Sequence, residues 1–175
     1  MPGMPAGAAK PGFTLRRLGA ADAAAFRDLR LLGLRRHPEA FGAAFEEEAG
    51  RPLAWFAGRL EVHAVWGGWQ TGAGPLAGVV GLQLNGVAKA RHKGVLWGML
   101  VRPEARGGGL ATALAGALLE HARSHVEEVR LSVGASNPAA IRLYARLGFS
   151  AYGVEPRALK LGEAYCDEVL MALRF

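Results

Sequence analysis

Everything else in the chain is arranged around the segment Val95-Leu-Trp-Gly-Met-Leu-Val-Arg-Pro-Glu-Ala-Arg-Gly-Gly-Gly-Leu-Ala-Thr112. Val95 to Val101 is an unbroken apolar run with β-branched and aromatic members, which predicts a central strand covered on both faces. Pro103 stops it. Arg106, Gly107, Gly108 and Gly109 follow, and Leu110, Leu114 and Leu118 then recur as along one face of a helix. Glycines therefore sit where a helix begins. The first turn of a helix has backbone N–H groups without internal partners and lies at the positive end of the aligned peptide dipoles. Residues without Cβ let a phosphate approach that backbone, and Arg106 can add a full charge. A Walker A loop would need Gly-Lys-Ser/Thr at its end, and a dinucleotide fingerprint a glycine at Thr112; neither is present. The loop is thus either a cradle for a phosphate or pyrophosphate, or only a tight strand-to-helix turn.

A second segment, Leu131 to Phe149, reads Leu-Ser-Val-Gly-Ala-Ser-Asn-Pro-Ala-Ala-Ile-Arg-Leu-Tyr-Ala-Arg-Leu-Gly-Phe. Arg106, Gly109 and Ala111 fit the pattern Arg/Gln-x-x-Gly-x-Gly/Ala. Asn137, Ala140, Leu143, Tyr144, Gly148 and Phe149 fit Asn-x-x-Ala-x-x-Leu-Tyr-x-x-x-Gly-Phe. With these two ordered motifs the chain resembles the GNAT superfamily of N-acetyltransferases, which use acetyl-coenzyme A (acetyl-CoA). The resemblance extends more loosely from Phe13 to Phe175, and His37-Pro38-Glu39-Ala40-Phe41-Gly42 is similar to the first helix–loop of some members.

The resemblance implies an α/β fold with a central mixed β-sheet of about seven strands flanked by about four helices. It implies that Arg106, Gly107, Gly108, Gly109, Leu110 and Ala111 receive the pyrophosphate of coenzyme A, with Asn137 and Ala140 beside the cofactor. It also implies that the central strand splays from its neighbour at Met99, Leu100 and Val101. Backbone groups freed there pair with the pantetheine arm and polarise the thioester carbonyl. Tyr144 matches the family's general acid for the leaving thiolate; an ordinary phenol, with a pKa of about 10, is protonated at neutral pH. From the residues alone, Tyr144 also fits a core tyrosine on an apolar helix face with Ala140, Ile141 and Leu147, and Asn137 fits an N-cap.

The chain has 175 residues, 51% hydrophobic and 21% charged, which predicts one globular domain over residues 13–175. Residues 1–12 carry Pro, Gly and Ala without the apolar core of a signal peptide, and read as a flexible tail. No apolar run approaches the roughly 20 residues of a membrane span. Cys166 is the single cysteine, and a cytoplasmic location is the expectation. The net charge of +6 comes from basic residues spread along the chain, which favours a solvated surface suited to an anionic cofactor over nucleic-acid recognition. No metal is expected: His121 and His125 share a helix face, but nothing completes a ligand set.

Around the two motifs, Phe13 to Leu18 predicts a first strand, and Asp22 opens a helix carrying Phe26 and Leu29 that ends before Pro38. Glu46 to Leu60 predicts a single second helix, with Leu53, Phe56 and Leu60 on one face. Its first turn holds Glu46, Glu47 and Glu48, either dipole partners on a wet face or a seat for a cationic amine. Val62 to Trp69 and Leu76 to Leu84 predict two strands that form a meander with the central one. Trp66, Trp69 and Trp97 are read as packing residues. Glu128 to Gly134 is a further strand; Asn137 and Pro138 start a helix that Gly148 stops. Phe149 to Val154 and Tyr165 to Arg174 complete the sheet.

The family's chemistry is acetyl transfer by direct attack of an amine, here a small-molecule amine or a protein or peptide amine, and homodimers are common among its members. An alkylammonium must lose a proton before it attacks. Many relatives carry a glutamate on the central strand, whereas Val95 to Val101 has no ionisable residue. Glu46, Glu47, Glu48, Asp167 and Glu168, or a relay through water, are the candidates for base. A non-catalytic acetyl-CoA-binding sensor is the alternative class.

Overall fold

The structure, a computed structural model, describes residues 12–72 and 74–175. The expected tail therefore lies outside the described residues, apart from Gly12. In order along the chain come β1 (Phe13–Arg17), α1 (Ala23–Arg36), α2 (Phe45–Ala49), α3 (Leu53–Val62), β2 (Ala64–Gln70), β3 (Gly78–Leu84) and β4 (Lys93–Val101). They are followed by α4 (Leu110–Arg123), β5 (Glu128–Gly134), α5 (Pro138–Arg146), β6 (Ser150–Leu161) and β7 (Ala164–Arg174). The seven strands form one sheet in the order β1-β2-β3-β4-β5-β7-β6. Every neighbouring pair is antiparallel except β4 and β5, which are parallel. Among the described residues no helix is long and apolar enough to cross a membrane.

Alternation along the strands sends side chains to two apolar layers. On one face α1 and α3 contribute Phe26, Leu29, Phe56 and Leu60 against Val65, Val79 and Leu100. On the other, α4 contributes Leu110, Leu114 and Leu118 against Val80, Leu96, Val129, Leu131, Tyr144 and Phe149. Two expectations change. The second helix is two helices, because Pro52 has no N–H to donate and disfavours the helical conformation in Arg51. The described residues therefore hold five α-helices rather than about four. The sixth strand runs to Leu161 instead of ending near Val154, because its register with β7 shifts between Glu155 and Leu159. Arg157 adopts φ +56° there, and its N–H donates to Asp167 Oδ1 at 2.8 Å. A bulge of this kind breaks the two-residue period by which a strand is recognised.

The central strand carries its own irregularity. Gly81 pairs with Trp97 and Val79 with Leu100, so β4 has one residue more than β3 between these pairs. Gly98, with φ +65°, occupies the bulge. It resets the alternation, so that Trp97 packs toward α1 and α3 while Met99 packs toward α4. Opposite it, a Cβ on Gly81 would overlap the indole of Trp97. We expect Gly81→Ala to lower stability by about 1–3 kcal/mol, as overpacking does. An unchanged midpoint in urea denaturation would show that the indole moves freely.

Candidate active site

β4 and β5 pair over only three residues, Lys93 to Val95 with Glu128 to Arg130. Beyond that point β5 continues its ladder with β7, from Leu131 opposite Met171 to Gly134 opposite Glu168, while β4 stays with β3. The edge of β4 that faces β5 has no strand partner from Leu96 onward. The gap is a cavity of about 250 Å³, lined by Leu96 to Met99 of β4, Ser132 to Gly134 of β5, and Asn137, Ala140, Leu143 and Tyr144 of α5. Glu39, Ala40 and Phe41 close it from the segment after α1.

α5 is placed by strong local signals. The Asn137 side chain accepts from the Ala140 N–H at 3.1 Å, and Pro138 takes the first helical position. Tyr144 is 5% exposed and meets Phe149 edge-on, with ring centroids 5.7 Å apart. Burial pushes its phenol above the ordinary tyrosine value, so the proton stays on oxygen at neutral pH.

The glycine loop lies past the end of β4. Gly107 and Gly109 adopt φ +83° and +85°, conformations that side chains with a Cβ rarely take, and Gly109 is the N-cap of α4 with no side-chain cap. A Cβ at Gly107, Gly108 or Gly109 would meet nothing within 4 Å, so the loop faces open space. Arg106 donates from Nε to the Val101 carbonyl at 3.1 Å, and its Nη2 lies 3.3 Å from His37 Nε2. It ties the loop to the end of β4. Leu110 is buried in the core and can offer a ligand only its backbone. Of the three central-strand residues, Met99 lines the cavity. Leu100 points to the α1 and α3 side, and Val101 has its carbonyl engaged by Arg106.

A second cavity of about 250 Å³ adjoins the first and shares Ala40, Phe41, Leu96, Trp97, Gly98 and Ser132 with it. Its further lining includes Arg30 of α1, Arg59 of α3, Gln83, Val95 and Glu168 of β7. Val95 is thus open here, an exception to the strand being covered on both faces. Arg30 donates to both carboxylate oxygens of Glu48, at 2.8 and 2.7 Å, and both residues are buried. Arg59 Nη1 is 3.6 Å from Glu48 Oε1. The Arg59 guanidinium lies over the rings of Trp55 and Trp97, 4.9 and 4.6 Å from their centroids, and its Nε is buried without a hydrogen-bond partner. Burial and the neighbouring Arg30 cation both push the Arg59 pKa below its ordinary value, against the pull of Glu48.

The three acidic residues of α2 therefore do not form one seat for an amine. Glu47 accepts from the Ala44 N–H at 2.9 Å, capping the helix, and Glu48 is occupied by Arg30. Glu46 is exposed and lines a separate hollow with Lys160. Asp167 is committed to the β6 bulge, which leaves Glu168 as the candidate base that lines the second cavity. Trp97 lines both cavities as well as packing, whereas Trp66 and Trp69 line neither. Arg30 and Arg59 were not among the residues expected from the sequence. A signal was available: Arg30 shares the buried stripe of Phe26, Leu29, Gly33 and Leu34, an odd place for a cation without a partner.

Comparisons with known proteins agree with this fold. The model of the acetyltransferase (GNAT) family matches residues 27–149. Mycothiol acetyltransferase of Thermobispora bispora is 48% identical over 56 residues, 31% of this chain and 19% of that protein, so the chain covers about a fifth of this relative. An acetyltransferase of the GNAT family from Streptococcus pneumoniae superimposes with a TM-score of 0.81 at 21% identity, covering 93% of this chain and 99% of the other. A Salmonella typhimurium protein solved with its cofactor acetyl-CoA gives 0.76 at 22% identity, with 93% of each chain covered. The ribosomal-protein-alanine N-acetyltransferase of Brucella melitensis gives 0.76 at 21% identity, covering 93% of this chain and 99% of that one. These structural likenesses establish a shared fold, and the family match extends over most of the sequence. The chain belongs to the acetyltransferase (GNAT) family.

Proposed function

We propose that the protein is an acetyl-CoA-dependent N-acetyltransferase that acts on a primary amine by direct attack, with residues 13–175 as its catalytic domain. The observation that carries this reading is the wedge between β4 and β5, which presents an unpaired strand edge beside a buried, protonated tyrosine. Acetyl-CoA, when bound, supplies an activated acyl group and a thiol leaving group. The residues present suit it. The open loop from Gly107 to Ala111 offers backbone N–H groups at the start of α4 to a pyrophosphate, with Arg106 adding charge nearby. Met99, Asn137 and Ala140 flank the wedge in which an extended arm would lie. Unpaired backbone N–H groups on β4 stabilise negative charge on the acyl oxygen.

Glu168 takes a proton from the acceptor ammonium on the second-cavity side, and the amine nitrogen forms its bond to the acyl carbon as the carbon–sulfur bond breaks. Tyr144 gives its proton to the departing thiolate. The proton that the nitrogen sheds as the amide forms returns to Tyr144 through solvent.

Calorimetric titration with acetyl-CoA, followed by thiol release over a panel of amines, tests the reading. Binding with turnover supports it; binding without turnover would assign a sensor instead. Gly109→Glu should weaken acetyl-CoA binding by about tenfold or more, through like charge at the pyrophosphate and a strained backbone. Undiminished affinity would remove the loop from the cofactor site. Tyr144→Phe should lower kcat by about 10²- to 10⁴-fold with acetyl-CoA affinity retained. An unaltered kcat would mean that another group protonates the thiolate. Glu168→Gln should depress kcat/KM at neutral pH and let it recover as pH approaches the amine's own pKa, about 10 for an alkylamine. A profile parallel to that of the wild type would exclude Glu168 as base.

A further inference from the structure

The second cavity is lined by more positive charge than the protein neutralises: Arg30 is buried and Arg59 partly buried. Glu48 gives both carboxylate oxygens to Arg30 at hydrogen-bond distance and approaches Arg59 only at 3.6 Å. Among the described residues no other carboxylate lies within 4 Å of either guanidinium. Arg59 thus keeps its fork of donors unused, with Nε buried and unpartnered. Trp55 and Trp97 hold the cation in place without cancelling its charge, since the ring faces attract it but accept no proton. Arg30 Nη1 faces the shared wall as well: a Cβ on Gly98 would lie 3.5 Å from it. A planar guanidinium presented in this way matches a carboxylate in geometry as well as charge. A partly buried cation with a buried, unpartnered Nε bears part of its desolvation cost, and a ligand that brings an anion offsets that cost on binding.

The same cavity is also lined by Glu168 of β7. Two arginines and a carboxylate without an ion-pair partner among the described residues, all on the lining of one cavity, suit a zwitterion. The cavity volume of about 250 Å³ suits one small molecule, and the wall at Leu96 to Gly98 is shared with the wedge where acyl transfer is placed. Resting on the acetyltransferase reading, we propose that the acceptor is a small amine bearing a carboxylate, an α-amino acid or close analogue. Its carboxylate is held by Arg59 with Arg30, and its amine is turned toward Glu168 and the wedge. Arg59 is then the residue that sets acceptor specificity.

The test uses the whole protein and the standard α-amino acids, each beside its carboxamide, its decarboxylated amine and a dipeptide carrying it at the N-terminus. Thiol release is compared per free amine, and acetyl-CoA affinity is measured separately by calorimetry. At least one amino acid should surpass its amide and its decarboxylated amine in kcat/KM by roughly 10- to 100-fold, the range expected when a charged hydrogen-bonded contact is lost. Arg59→Gln should bring that ratio close to one, Arg59→Lys should keep part of it, and acetyl-CoA affinity should hold in both. Equal or better use of the uncharged analogues or of the dipeptides by the wild type would overturn the proposal without need of a variant. So would a preference that survives Arg59→Gln in a protein with an unchanged melting temperature, or rejection of every amino acid while acetyl-CoA binds. Failure of acetyl-CoA to bind the wild type would instead overturn the acetyltransferase reading beneath it.

Discussion

The site depends on two parallel strands that stop pairing after three residues. Backbone groups at a strand edge inside a protein need partners, and an edge left open within a sheet is normally covered or closed. Here β5 satisfies its far side with β7, β4 satisfies its far side with β3, and the bulge at Gly98 turns the strand so that the two do not rejoin. What remains is a slot of hydrogen-bonding groups that no element of the described chain fills. The fold thus carries an incomplete ladder that an extended ligand with amide groups can complete. The helix α5 borders the same opening on one face of the sheet, and α1 and α3 on the other.

Electrostatics divides the two sides of that opening. On the α5 side the chemistry is neutral and protonated: burial alone acts on Tyr144, and it holds the proton in place. On the α1 and α3 side it is ionic, with two arginines, one shared glutamate and an indole wall. Such a cluster does not arise from stability alone, since a buried ion group is often no better than well-packed apolar residues of the same volume. Its two arginines also line the second cavity.

The parts of the fold that could be read from the sequence are those governed by neighbours in the chain. Apolar runs, Pro103, the glycines and the Asn137-Pro138 start define β4, the loop, α4 and α5 by local rules, and the seven-stranded mixed sheet follows from the family pattern. The same motifs named Met99, Asn137, Ala140 and Tyr144, and all four line the wedge. The parts that could not be read depend on distant partners. Glu48 resembles its two glutamate neighbours until Arg30, eighteen residues away, claims it. The sixth strand looked short because its bulge is stabilised by Asp167 on the facing strand. The break before Leu53 was legible in Pro52 but was masked by the run of good helix formers on either side.

Gly98 forms part of the wall between the two cavities; its backbone angle is positive, and a Cβ on it would lie 3.5 Å from Arg30 Nη1. The first cavity is lined by residues of β4, β5 and α5, whereas Arg30 of α1, Arg59 of α3 and Glu168 of β7 line only the second. On the proposed reading, drift at Arg59 changes which molecule is modified while Met99, Asn137 and Tyr144, which line only the first cavity, stay as they are. A shared wall between two differently lined cavities would, on that reading, let a lineage diversify its substrates without reinventing its reaction.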